Sequence, residues 1–126
     1  MEYYPGLCMV EIDRIAAAEK RFGDRFLRRL VTPLELSYCG RGAARHQRLA
    51  CRIAAKIAVR GALRLAGLVP IPWLDLEVKR DEWGKPSIEV KESCRARLTQ
   101  PSPSSILLSL SHSRDLAVAS AVIERE

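Results

Sequence analysis

Between Ala44 and Leu65 only Gly61 interrupts a run of helix-compatible residues, and no other segment constrains the fold of this chain as strongly. A helix of that length spans ~33 Å at 1.5 Å per residue, enough to cross a small domain as its backbone. At 100° per residue Ala50, Ile53, Ala54, Ile57, Ala58 and Leu65 gather on one side, the expected core face. Arg48, Arg52, Lys56 and Arg60 follow at four-residue spacing on an adjoining stripe. That stripe reads as a solvated cationic face.

Shorter elements flank this helix. Leu7 to Ile12 reads as a short buried strand, and Asp13 as the N-cap of a helix through about Arg21. Gly23 breaks that helix, and another covers Arg25 to Leu30. Thr32-Pro33-Leu34-Glu35 has the form of a capping box for a helix through Tyr38, ended by Gly40 and Gly42. After Gly67 and Pro70-Ile71-Pro72, Leu74 to Lys79 and Ser87 to Val90 alternate as a hairpin around Asp81 to Lys85. Glu92 to Leu98 suits a short helix and Thr99 to Ser105 a loop. Ile106 to Ser111 and Leu116 to Ile123 suit two strands joined by His112 to Asp115. Strand, helices, then strands predict one α+β domain over residues 1–126, its antiparallel sheet packed on the long central helix.

Charge narrows the partners. Lys and Arg number 21 against 15 Asp and Glu, so an acidic partner is favoured. Nucleic acid is not expected, because no reader motif or aromatic stacking platform accompanies the charge. A membrane is not expected either, because no apolar run approaches the ~20 residues of a span and no secretory signal is visible. Cys8, Cys39, Cys51 and Cys94 lack zinc-site spacing and fit free thiols of the cytoplasm.

Four segments recur in order: GLCMVEIDRI (Gly6 to Ile15), CRIAAKIAV (Cys51 to Val59), DEWGKPSIEV (Asp81 to Val90) and SLSHS (Ser109 to Ser113). With them the chain resembles the holo-acyl-carrier-protein synthase type of 4'-phosphopantetheinyl transferase over nearly its whole length. The resemblance implies that family's fold, a trimer with sites between subunits, coenzyme A as donor and an acyl carrier protein as partner. It implies coenzyme A contacts from Arg52, Lys56, Lys85, Pro86, Ser111 and His112. It also implies a carrier-docking ridge of Arg14, Arg21, Arg25, Arg28 and Arg29 with Phe26 as an apolar anchor. Ordinary surface arginines are the alternative reading of that ridge.

Departures from the pattern are equally specific. The family reads G-x-D-x-V-E-I where this chain has Cys8, and A-A-K-E-A where it has Ile57. Those two acids hold magnesium in the family, so magnesium is not expected here. A family lysine four residues after that Glu is Gly61, and the G-T-G turn is replaced by LRLAGLVPIP. Cys8 reads as a small buried strand residue or as a nucleophile paired with His112. Glu11, kept from V-E-I, is the remaining acid for a displaced site. The expected function is therefore a divergent homologue repurposed to bind or transform a carrier-bound acyl-phosphopantetheine, as in polyketide or peptide pathways. An active transferase with a displaced metal site is the first alternative. A non-catalytic partner, forming a homotrimer or completing a hetero-oligomer with an intact homologue, is the second.

Overall fold

The computed structural model describes residues 1–100, 102 and 104–126. Strand β1 (Glu2–Glu11) leads into helices α1 (Ile12–Phe22), α2 (Asp24–Arg28), α3 (Pro33–Cys39) and α4 (Arg45–Leu65). A 3-10 turn (Trp73–Asp75) precedes β2 (Leu76–Arg80) and β3 (Pro86–Val90). Helix α5 (Glu92–Thr99), β4 (Ser104–His112) and β5 (Leu116–Arg125) complete the chain. One antiparallel sheet has the order β1-β5-β4, and β2-β3 form a separate hairpin. The expected Thr99–Ser105 loop is shorter: Thr99 ends α5, Ser104 opens β4, and Pro101 and Pro103 lie outside the described residues.

β1 is longer than the Leu7–Ile12 strand read from the sequence, because β5 pairs with it from Glu2↔Arg125 to Glu11↔Leu116. It is also not buried throughout. Tyr4, Gly6, Cys8 and Val10 face inward and are half-buried, while Tyr3, Leu7 and Met9 face outward and are exposed. Pro5 is tolerated because β1 is an edge strand with one unpaired side. Asp13 is not an N-cap. α1 starts two residues earlier than that cap implies, where the Ile12 amide donates to the Asp115 carbonyl at 2.9 Å, and Asp13 sits in the first turn.

The capping box at Thr32 is present: its hydroxyl accepts from the Glu35 amide, and the Glu35 carboxylate accepts from the Thr32 amide. Gly40, at φ 64, ends α3 in a positive-φ conformation that favours glycine. Helix α2 is shorter than expected and closes at Arg28, since its tail turns through Leu27 carbonyl bonds into the α3 cap.

Helix α4 is buried on two sides, which alters the reading of its faces. β1 and β5 pack along one side, over Ala54, Ala55, Ala58 and Ala62, while α3 and β2 cover another. Small residues let the sheet approach closely. At Gly6 an added Cβ would run into the Ala58 carbonyl, so the strand lies directly on the helix backbone. Gly6→Ala is predicted to cost ~1–3 kcal/mol, because the obstacle is backbone that cannot rotate aside. An unchanged urea midpoint would contradict this close approach.

Two residues of the expected core row point outward. Ile57 is 38% and Leu65 60% exposed, whereas Arg52 and Lys56, on the stripe read as solvated, are buried. The strip between α1 and the start of α4 is closed by charge. Arg45 grips the Glu19 carboxylate through Nε and Nη2, and Glu19 also meets His46 Nε2 at 2.7 Å. The Arg45 hydrogen bond holds the Glu19 carboxyl down to about 2. A folded-state pKa below the unfolded one stabilises above the ordinary carboxylate range, and the gain is lost as pH falls through about 2. Acid unfolding of Glu19→Gln should therefore lack a component that wild type shows across that window; identical profiles would contradict the clasp.

Candidate functional site

The two positions where the family motifs carry acids flank, in sequence, the point where β1 crosses α4. Gly6 rests on Ala58, Cys8 is the next inward residue of β1, and Ile57 precedes Ala58 in the helix. Burial pushes the Cys8 thiol up, so it is a neutral thiol near neutral pH. Magnesium needs hard oxygen ligands in octahedral array. A neutral thiol and an aliphatic side chain supply none, so this crossing does not fit the ion. Among the described residues no group of three His, Cys, Asp or Glu is placed to hold a metal.

Neither proposed partner joins Cys8. Glu11 lies three residues along β1 and therefore projects from the opposite face, where it is exposed. His112 is separated from it by a whole strand. Cys8 pairs with Ala119 of β5, which pairs with Leu110 of β4, and His112 lies two residues beyond Leu110. Two strand spacings of ~4.8 Å thus intervene within the protomer, so the Cys8–His112 pair is not assembled there. Instead His112 Nε2 lies 2.9 Å from Gln47 Nε2, near the start of α4. With the Gln47 amide donating, the His112 ring is held in its Nδ1–H tautomer. Ser111 projects from the opposite, exposed face of β4.

The two cations expected to meet coenzyme A have different environments. Lys56 is fully buried, and its ammonium donates to Glu35 Oε1 at 2.6 Å, Leu30 O at 2.8 Å and Trp73 O at 3.1 Å. All three of its hydrogens are therefore engaged inside the fold, which corrects the phosphate-binding reading. Burial pushes its pKa down, and the Glu35 carboxylate opposes the shift. Glu35 Oε2 also accepts from the Val78 amide at 2.8 Å, tying α3, α4 and β2 to one ion pair.

Arg52 retains an uncompensated charge. Its guanidinium lies 4.2 Å from the Tyr38 ring centroid, and Nη1 donates to the Arg48 carbonyl. Its Nε is buried without a partner, and no carboxylate pairs with it among the described residues. A buried guanidinium without an anion is a ready phosphate ligand. Tyr38, also stacked by Arg48 at 5.7 Å, was not singled out from the sequence. Its aromatic ring four residues after Leu34 gave little sign of this role.

Lys85 and Pro86 close the β2–β3 hairpin. Asp81 Oδ1 accepts from the Trp83 and Lys85 amides, Gly84 has φ 82, and Pro86 opens β3. The turn leaves Lys85 exposed. Gly61 sits on the open side of α4, where an added Cβ would meet nothing within 4 Å.

On α1 and α2, Arg14, Arg21, Arg25, Arg28 and Arg29 are exposed and Phe26 is half-buried. None of these arginines has a carboxylate partner among the described residues. Phe22, missed in the sequence reading, completes the patch. It is 57% exposed, stacks near Phe26 with centroids 6.3 Å apart, and lies under Arg21 at 5.2 Å. Phe22 ends α1 and Phe26 lies in α2 beyond the Gly23 break, so helical spacing gave no signal for the pair. Arg21, Phe22, Arg25, Phe26 and Arg29 border a depression of about 500 Å³.

An antiparallel sheet laid along one long helix, with a hairpin beside it, defines an α+β class shared with solved acyl-carrier-protein synthases. The structure of holo-[acyl-carrier-protein] synthase from Neisseria meningitidis matches with TM-score 0.84 at 28% identity, covering 96% of this chain and 97% of that one. A Chronobacterium ammoniagenes structure, an ACPS-CoA complex, matches with TM-score 0.85 at 27% identity over 100% and 99%. The holo-[acyl-carrier-protein] synthase of Koribacter versatilis (strain Ellin345) is 39% identical, covering 94% of this chain and 95% of the relative. That of Chlamydia trachomatis serovar L2 is 38% identical over 94% and 97%. No family model matches the chain. By this end-to-end similarity the chain belongs to the holo-[acyl-carrier-protein] synthase family.

Proposed function

We propose that this chain binds coenzyme A and an apo acyl carrier protein and acts in 4'-phosphopantetheine transfer to the carrier serine. The observation that carries this reading is the 39% identity to a holo-[acyl-carrier-protein] synthase along essentially the full length of both chains. Such transfer depends on positioning and charge neutralisation more than on covalent chemistry. Arg52 supplies a guanidinium free of any carboxylate for a phosphate, with Lys85 and His112 as further contacts and Ser111 and Pro86 flanking them. The ridge from Arg14 to Arg29, with Phe22 and Phe26, complements an acidic carrier helix.

Assembly into an oligomer is part of the same reading. The outer face of the three-stranded sheet exposes Tyr3, Leu7, Met9 and Leu107, each at least 51% accessible. This row of exposed apolar side chains suits a homotrimer, or a hetero-oligomer with an intact homologue. No helix is long and apolar enough to cross a membrane, and four free cysteines fit a reducing compartment such as the cytoplasm.

A second reading is favoured by one specific observation: Cys8 and Ile57 offer no oxygen ligands at the β1–α4 crossing. In that reading the chain has given up transfer and holds a carrier-bound acyl-phosphopantetheine, or completes the site of another subunit. Incubation with coenzyme A, magnesium and an apo carrier protein separates the two. A carrier mass raised by one phosphopantetheine supports transfer, and an unchanged mass supports the second reading.

A further inference from the structure

A cavity of about 720 Å³ lies away from the β1–α4 crossing, between α2, α3 and the start of α4. Its size falls within the ~300–1,000 Å³ typical of small-molecule sites. Val31, Pro33, Leu36 and Leu74 give it an apolar wall, and Leu74 is 47% exposed. No aromatic ring lines it, so nothing there would stack on a nucleobase.

The rim has the opposite character. Arg28 and Arg41 border the cavity, and neither meets a carboxylate among the described residues. Arg45 borders it too, but its guanidinium is neutralised by Glu19 at 2.6 Å. Asp24 is the one carboxylate in the lining, and it lies 4.0 Å from Arg45 rather than from the two free cations. The Thr32 hydroxyl is already donated to Glu77, so Thr32 adds no second donor toward the cavity. Two uncompensated arginines over an aliphatic wall match one kind of ligand, an anion with an apolar tail.

We propose that this cavity is a binding site for an alkyl carboxylate, whose tail lies on Leu36, Leu74 and Val31 and whose carboxylate meets Arg41 and Arg28. The site shares no residue with Arg52, Lys85 or His112, and of the carrier-docking ridge it takes only Arg28.

Dodecanoate titrated below its micelle-forming concentration, followed by calorimetry and amide chemical shifts, tests the site. Butanoate and dodecanol serve as the anion without a tail and the tail without an anion. Dodecanoate should bind at least tenfold more tightly than either. Arg41→Glu should weaken it at least tenfold, Ser37→Trp should block it by filling the exposed side of the cavity, and Asp24→Asn should tighten it. Circular dichroism identifies any variant that fails to fold, and Asp24→Asn, a gain rather than a loss, keeps the test open in that case. Equal binding of dodecanol would mean a plain apolar cleft, equal binding of butanoate a surface anion site, and no binding an empty groove. Each of these three results overturns the proposal.

Discussion

Lys56→Met should cost about 3–5 kcal/mol of stability, the range seen when one partner of a buried ion pair is removed. The substitution keeps the volume of the stem but strands the Glu35 carboxylate in a site where both side chains are 0% exposed. It also leaves the Leu30 and Trp73 carbonyls without the ammonium that now joins them. The Glu35 carboxylate would keep its Thr32 and Val78 amide donors, which fixes it in place without neutralising it. Urea unfolding gives the measurement, and a double-mutant cycle with Glu35→Gln gives the cause. The double variant should lose less than the sum of the singles, because removing both charges removes the stranded one. A loss below ~1 kcal/mol for Lys56→Met, or full additivity, would show that the pair does not organise α3, α4 and β2.

Charge reversal of the α1–α2 ridge should have the largest effect on binding. Arg21→Glu with Arg25→Glu places two acids where a carrier helix presents its own, and a loss of at least ~100-fold is expected, about tenfold for each reversed rim charge. Phe22→Ser tests the apolar half of the same patch. Truncation of a central aromatic anchor removes ~2 kcal/mol, or roughly thirtyfold in affinity. The arginine effect should shrink as salt rises and the phenylalanine effect should not. Binding measured by calorimetry at two salt concentrations separates them. Unchanged affinity for the double reversal would return these arginines to ordinary surface duty.

Most of the architecture was legible from local chemistry. The Thr32–Glu35 cap, the Gly40 stop, the hairpin at Asp81–Lys85 and the extent of α4 each rest on neighbours within a few residues. What failed depends on contacts far along the chain. Periodicity placed Ile57 in a row with Ala50 and Ala54, but only the packing of α3 and β2 against a second side of α4 turns Ile57 outward. Lys56 looked solvated because its partner, Glu35, is 21 residues away and invisible to helical spacing. Cys8 and His112 do not meet within one protomer, since β5 lies between their strands. β1 looked short because Pro5 and Gly6 discourage a strand locally, and pairing with β5 overrides them. The cationic ridge was visible as repeated arginine, yet Phe22 joined it only once its ring was seen beside Phe26.

The central claim is that this family member still takes part in phosphopantetheine transfer although Cys8 and Ile57 stand at the β1–α4 crossing. Intact-mass analysis of an apo acyl carrier protein tests it most directly, after incubation with coenzyme A, magnesium and either wild type or the Cys8→Asp, Ile57→Glu variant. With wild type the carrier should gain one phosphopantetheine. A carrier left unmodified by wild type but modified by the variant would contradict it, and would identify a sound scaffold that has given up the reaction.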